Sequence, residues 1–227
     1  MLKKWEDLPD FMRTEEVRPY YEALSRKKAS LLFKRIFDFA AAAALLVLLL
    51  PVFVAVSVVV AVDSPGGAFF VQERVTRYGK RFNIIKFRTM KKNLEHTGSA
   101  VTVKDDCRVT KAGRFLRRTR LDELPQLINI LSGDMSFCGT RPEAPKYVAQ
   151  YTPEMCATLL LPAGVTSKTS ILFKDEEKLL CSAENVDKVY VEEILPEKMK
   201  YNLEAIKDFG FFKELGVMLS TVKAVVR

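Results

Sequence analysis

Phe39-Ala40-Ala41-Ala42-Ala43-Ala44-Leu45-Leu46-Val47-Leu48-Leu49-Leu50-Pro51-Val52-Phe53-Val54-Ala55-Val56-Ser57-Val58-Val59-Val60-Ala61-Val62 contains no charged side chain and a single polar one, Ser57. A helix needs about 20 apolar residues to cross the hydrocarbon of a bilayer, so the stretch is long enough to enter a membrane. It is too long, and too far from the N-terminus, for a secretory signal, and no small-residue cleavage site follows it. The competing reading is a helix buried on all sides in a soluble core. Pro51 stands near the middle of the run, where a missing N–H and a ring clash break or kink a helix.

Both flanks of the run are basic. Arg26, Lys27, Lys28, Lys34 and Arg35 precede it, and Arg74, Arg77, Lys80, Arg81, Lys86, Arg88, Lys91 and Lys92 follow it. Such residues favour the cytoplasmic side of a membrane and attract anionic head groups. A straight span would carry one basic flank across. A hairpin that enters and leaves by the same face, kinked at Pro51, removes the conflict. The whole chain of 227 residues carries a formal charge of +8. Its cysteines, Cys107, Cys138, Cys156 and Cys181, form no C-x-x-C pair, and His96 is its one histidine. That argues against a zinc site and for reduced thiols in a cytosolic domain.

Beyond the run the pattern predicts an α+β fold, mainly helical. Asp63-Ser64-Pro65-Gly66-Gly67 breaks the chain. Short strands are expected over 69–72 and 82–87, joined as a β-hairpin through Tyr78-Gly79-Lys80, with a polar loop over 91–107 that holds His96. Phe115, Leu116, Leu121, Leu124, Leu127, Ile128 and Leu131 fall at helical spacings until Ser132-Gly133-Asp134 stops the run. Further helices are expected over 146–160, 175–195 and 197–226, with a turn at Pro162-Ala163-Gly164. The last helix mixes large apolar residues with lysines, which suits either a core helix or one lying in a membrane interface. Residues 1–28 form a short helix or a surface arm.

Chemistry concentrates in Arg117-Arg118-Thr119-Arg120-Leu121-Asp122-Glu123-Leu124-Pro125-Gln126-Leu127. Pro125 is tolerated only in the first turn of a helix, which puts Asp122 at or just before a helix start. Free N–H groups and the helix dipole there stabilise negative charge, keep an aspartate ionised for nucleophilic work and receive phosphate. Glu123 offers a hard oxygen ligand suited to Mg²⁺ on a diphosphate, and Arg117, Arg118 and Arg120 supply positive charge. The same residues fit a plain helix cap with arginines on lipid head groups. Lys86-Phe87-Arg88 alternates on a strand, so Lys86 and Arg88 share a face that either binds phosphate or is simply solvated. Gly139-Thr140-Arg141-Pro142 fixes an arginine on a rigid turn.

Taken in order, these segments resemble the bacterial sugar transferase family, the monotopic phosphoglycosyl transferases. The landmarks are Lys34-Arg35-Ile36-Phe37-Asp38, Pro51, Asp63-Ser64-Pro65-Gly66, Gln72-Glu73-Arg74, Lys86-Phe87-Arg88-Thr89-Met90 and Asp106-Cys107-Arg108-Val109-Thr110. Leu121-Asp122-Glu123-Leu124-Pro125-Gln126-Leu127, Gly133-Asp134-Met135-Ser136 and Gly139-Thr140-Arg141-Pro142 complete the set. The resemblance implies three units: an N-terminal extension over 1–30, a re-entrant membrane helix over 31–63, and a cytoplasmic catalytic domain over 64–227 with interfacial amphipathic helices. It implies a bacterial inner-membrane protein facing the cytoplasm, whose hairpin uses Arg35, Asp38 and Pro51; Arg35 and Asp38, three apart, are expected to pair.

The activity it implies is transfer of a sugar phosphate from a UDP-sugar to undecaprenyl phosphate, with release of UMP, as the first membrane step of glycan assembly. Asp122 would be the nucleophile and carry the sugar phosphate covalently. Glu123 would hold Mg²⁺, and Lys86, Arg88, Arg117 and Arg141 would bind phosphates. Membrane lipids are expected partners and nucleic acid is not; a homodimer is left open. The chain departs from the family pattern at Leu50 and Arg120, where serine is common, at Thr140, where proline is usual, and over 161–174. The rival reading is a non-catalytic basic module that binds anionic lipid or nucleic acid at a membrane surface, with no turnover and strong salt dependence.

Overall fold

The computed structural model describes residues 2–91, 108–173 and 185–226. The expected loop with His96 (apart from Lys91), Asp106 and Cys107 of the Asp106–Thr110 landmark, and the first part of the helix expected over 175–195, with Cys181, lie outside the described residues.

The long apolar run forms two helices, α2 (Lys28–Leu48) and α3 (Leu50–Asp63), which follow a short α1 (Arg18–Ser25). Pro51 sits in the first turn of α3, where its missing N–H leaves no bond unmade, and the two axes bend by 64°. Among the described residues no single helix is long and apolar enough to cross a membrane; the bent pair taken together reaches that mark by length and composition alone. On the inner side of the bend Ala42, Phe53, Val56 and Val60 pack with Phe82, Phe87, Leu116, Leu127 and Ile130. On the outer side Val47, Leu48, Val54, Val58 and Val62 are exposed, Val62 at 82%.

Three charged residues near the start of α2 tie it to the rest of the chain. Arg35 donates to the carbonyls of Ile130 (2.8 Å) and Leu131 (3.3 Å), which end the helix α5 described below. A cation at a helix C-terminus meets unpaired carbonyls and the negative end of the dipole. Asp38 accepts from the Ser136 hydroxyl (2.7 Å) and the Phe137 N–H (3.3 Å). Lys34 donates to the Cys138 carbonyl at 2.9 Å and pairs with Glu214 at 2.5 Å and Asp38 at 3.8 Å. The expected pairing of Arg35 with Asp38 is therefore not formed. Each finds a partner on the facing domain instead.

After α3, β1 (Phe69–Val75) and β2 (Arg81–Phe87) pair antiparallel, from Phe69 opposite Phe87 to Val75 opposite Arg81. Their connection passes through Tyr78 and Gly79, both at positive φ. The helical pattern from Gly113 to Leu131 resolves into two helices, and the second starts at Pro125, as its place in a first turn requires. The segment consists of α4 (Lys111–Thr119), a 3₁₀ turn over Leu121–Glu123, and α5 (Gln126–Ser132). The break falls at Arg120, whose φ is 57°, with Pro125 capping α5. Where a plain turn was expected at Pro162-Ala163-Gly164, β4 (Ala163–Thr166) instead pairs parallel to β3 (Met135–Cys138). Gly139 and Gly164 permit the approach, since a Cβ on Gly164 would lie 2.2 Å from the Gly139 nitrogen.

The expected helix over 146–160 is shorter, α6 (Pro145–Val148) followed by a 3₁₀ turn over Glu154–Leu160 that begins after Pro153. Then come α7 (Lys168–Leu172), α8 (Val186–Val189), a π-helical turn at Tyr190–Ile194, α9 (Leu195–Lys207) and α10 (Phe211–Val226). The helix foreseen over 197–226 is thus two, parted by Phe209-Gly210. A second core lies beside the first. Leu8, Met12, Val17, Tyr20 and Leu24 of the N-terminal residues are buried against Ala157, Leu160, Ile206 and Phe209. The N-terminal stretch is packed into the body of the protein.

Candidate active site

Asp122 and Glu123 lie in the 3₁₀ turn between α4 and α5, and both are buried. The turn makes no side-chain cap, and Asp122 Oδ1 is a buried oxygen without a hydrogen-bond partner among the described residues. Reading Asp122 as a simple cap therefore finds no bond to support it. A buried acceptor left unmade costs about 1–3 kcal/mol, and such an atom is a place where a ligand belongs.

Glu123 is held tightly. Its Oε1 accepts from Arg141 at 2.6 Å and Lys86 at 3.1 Å, and Arg120 stands 4.0 Å away. Burial works to raise the Glu123 carboxyl, but Arg141, Lys86 and Arg120 outweigh it and hold the group well below the usual carboxylate range. Asp122 moves the other way. Burial, with the Glu123 charge beside it, pushes its carboxyl up against the pull of Lys86, Arg117 and Arg120. The helix end was expected to favour a charged Asp122; burial works against that charge, and Lys86, Arg117 and Arg120 support it. Burial likewise pushes the Lys86 ammonium below the ordinary lysine value, against the pull of Glu123.

The surrounding elements fix this cluster. Lys86 comes from β2, and Asn129 of α5 stitches that strand to the helix beyond the acidic pair. Its amide donates to the Asn83 carbonyl (2.8 Å) and accepts from the Ile85 N–H (3.0 Å). Arg117, in the last turn of α4, donates through Nε to Thr89 Oγ1 at 2.9 Å. Arg141 follows the β3 strand, where Gly139 donates to the Thr166 carbonyl and Gly164 to the Thr140 carbonyl. Lys86, Arg117 and Arg141 thus gather about the pair.

Arg88 does not join them. Its terminal nitrogens donate to the carbonyls of Pro65 (2.8 Å) and Ser64 (2.5 Å), just past the end of α3. The β2 strand ends at Phe87, so the alternation that put Lys86 and Arg88 on one face stops before Arg88. Asn129 and Thr89 were not foreseen as positioning residues. The signal for Asn129 was present as a lone amide among the apolar residues Leu127, Ile128, Ile130 and Leu131.

Among the described residues no group of three or more His, Cys, Asp or Glu side chains could hold a metal ion. Mg²⁺ needs less than that. It commonly takes one or two carboxylates, with water and substrate phosphates completing its shell. The unpartnered Asp122 Oδ1 next to Glu123 fits such a small donor set.

A buried carboxylate pair walled by lysine and arginine suits a protein that binds and transfers phosphate groups. The chain belongs to the bacterial sugar transferase family, whose pattern matches residues 29–227. It is 44% identical over 133 residues to a Bacillus subtilis (strain 168) protein provisionally named an undecaprenyl-phosphate N-acetylgalactosaminyl 1-phosphate transferase, covering 58% of this chain and 74% of that one. It is 32% identical over 196 residues to a UDP-glucose:undecaprenyl-phosphate glucose-1-phosphate transferase of Caulobacter vibrioides, covering 85% and 69%. Its likeness to the Escherichia coli (strain K12) protein of the same name is 33% over 195 residues, covering 84% of this chain and 39% of that longer one.

Proposed function

We propose that the protein transfers a sugar phosphate from a UDP-sugar to undecaprenyl phosphate at the cytoplasmic face of the bacterial inner membrane, releasing UMP. The observation that carries this reading is Asp122 Oδ1, a buried carboxylate oxygen without a partner, facing a neighbour whose own charge is already satisfied by Arg141 and Lys86. Family membership and the names of the relatives support the substrate class.

Asp122 attacks the sugar-bearing phosphorus of the UDP-sugar. A new bond forms between its carboxylate oxygen and that phosphorus, the bond to the bridging oxygen breaks, and UMP leaves with the electron pair. The phosphate oxygen of the polyprenol then attacks the same phosphorus. The acyl phosphate bond breaks, a diphosphate-linked sugar forms on the lipid, and the Asp122 carboxylate is regenerated. Two displacements through a covalent intermediate replace one awkward transfer between anions. Lys86, Arg117 and Arg141 offset the charge that would repel an anionic nucleophile from a diphosphate. Glu123, with Asp122, would hold Mg²⁺, which supplies further charge neutralisation on the phosphates. In this reading the α2–α3 pair is a re-entrant hairpin bent at Pro51, and lipid covers its outer side.

The test is UMP release from a panel of UDP-sugars by the full chain in lipid nanodiscs with undecaprenyl phosphate. Asp122→Asn should abolish release while the protein still folds and inserts, and a divalent chelator should silence the wild type. Full activity of Asp122→Asn would sink the mechanism. An N-terminus labelled only from outside the cell would refute the hairpin.

A further inference from the structure

Among the described residues only Tyr78 and Arg120 hold a left-handed backbone without being glycine, at φ 59° and 57°. A residue with a Cβ is strained there, glycine is not, and asparagine tolerates it. At Tyr78 the side chain explains the strain. Its hydroxyl accepts from the Lys3 N–H at 3.0 Å, and the Lys3 ammonium lies 4.9 Å from the ring centre. The bent backbone aims the ring at the N-terminal segment.

Arg120 has no such internal return. Its N–H ends α4 by reaching the Arg117 carbonyl at 3.2 Å, a backbone task that glycine would do with less strain. Among the described residues its guanidinium makes one ion pair, 4.0 Å from Glu123 Oε1, and no hydrogen bond. The neighbouring cations are committed. Lys86 and Arg141 hydrogen-bond to that same oxygen, Arg117 donates to Thr89, and Arg118 lies over the Phe115 ring. Arg120 is also the most open cation around Glu123, its side chain 46% exposed against 35% for Arg141 and 23% for Lys86.

We infer that Arg120 is a substrate-contacting residue, whose guanidinium binds a phosphate of an entering substrate beside Asp122. Strain held at a site is a sign of function when nothing inside the fold accounts for it. A planar fork with its donors uncommitted matches two oxygens of a phosphate. The donor's diphosphate and the acceptor's monophosphate offer the same chemistry. The inference rests on the transferase reading.

The experiment uses the full chain in nanodiscs, with UDP-glucose or UDP-N-acetylgalactosamine, whichever supports turnover, and undecaprenyl phosphate varied separately. Arg120→Asn keeps the left-handed turn available and removes the fork. Its unfolding temperature should match or exceed the wild type. The KM for one substrate should rise roughly tenfold or more, as expected for a lost hydrogen bond to a charged group, with kcat much less affected. Arg120→Lys should recover part of the loss, and the substrate whose KM moves identifies the phosphate. Arg120→Gly, which relieves the strain outright, repeats the measurement should the Asn variant fold poorly. Unchanged KM values in a folded variant overturn the inference, as does an effect confined to binding of anionic vesicles. Wild-type protein that releases no UMP would instead overturn the transferase reading itself.

Discussion

The apolar side chains of residues 8–24 and those along the outer side of α2–α3 are similar in kind and differ in what surrounds them. Leu8, Met12, Val17 and Leu24 are enclosed by Ala157, Leu160, Ile206 and Phe209. Val47, Val54, Val58 and Val62 are left open by every other described part of the chain. The first set spends its hydrophobicity on folding. The second set retains it for a surrounding medium, and a contiguous apolar face of that kind on a basic protein suits lipid. Hydrophobicity alone does not separate the two; the presence of a facing partner within the chain does.

Three changes probe that contrast. Leu24→Ala, in the enclosed set, should cost about 2–5 kcal/mol of stability by leaving a cavity, read as a lowered denaturation midpoint, with membrane partition unchanged. Val54→Asp, on the open set near the bend, should do the reverse. It should weaken membrane association by about 2.5–3.5 kcal/mol, the penalty for an acidic side chain deep in a bilayer, in vesicle flotation, without lowering the stability of the remaining fold.

Tyr20→Phe is the smallest change and sharpens the enclosed side through pH. The Tyr20 hydroxyl donates to Glu154 at 2.5 Å, and burial together with that carboxylate raises it well above the ordinary tyrosine value. The folded state therefore keeps a proton that the unfolded chain gives up at higher pH. The contribution is present in full below the unfolded value near 10 and is lost as pH rises above it. Tyr20→Phe should cost about 1.5 kcal/mol near neutrality and flatten the decline above pH 10, followed by chemical denaturation across that range.

How far the sequence anticipated the structure depends on the kind of signal. The bend at Pro51 and the β1–β2 hairpin were legible because each has a strong local cause, a missing N–H in one and a strand–turn–strand pattern in the other. The acidic pair with Lys86, Arg117 and Arg141 was legible mainly through the ordered resemblance to the family, since spacing alone fitted a plain helix cap equally well, and the same resemblance drew in Arg88, which turns instead to Ser64 and Pro65. The β3–β4 pair was not. Its strands are four residues long and include Gly164, so neither alternation nor propensity marks them, and the pairing depends on two glycines distant in sequence. Pro125 marked the start of α5, but the 3₁₀ turn and the left-handed Arg120 before it were hidden, because such a turn keeps apolar residues at nearly helical spacing. Arg35 and Asp38 had the spacing of a pair, but carbonyls and hydroxyls on the facing domain competed successfully for both.

Arg35 grips the last carbonyls of α5, and α5 begins just beyond Asp122. Asp122 is thereby tied to the α2–α3 pair through one short helix. With the hairpin seated in lipid, a shift by one helical turn, about 5.4 Å, would raise or lower Asp122 by a comparable amount relative to the plane of the acceptor's phosphate. On the proposed transferase reading the bend would act as a depth gauge, and the thickness of the leaflet that held it would become a quantity the chemistry could feel.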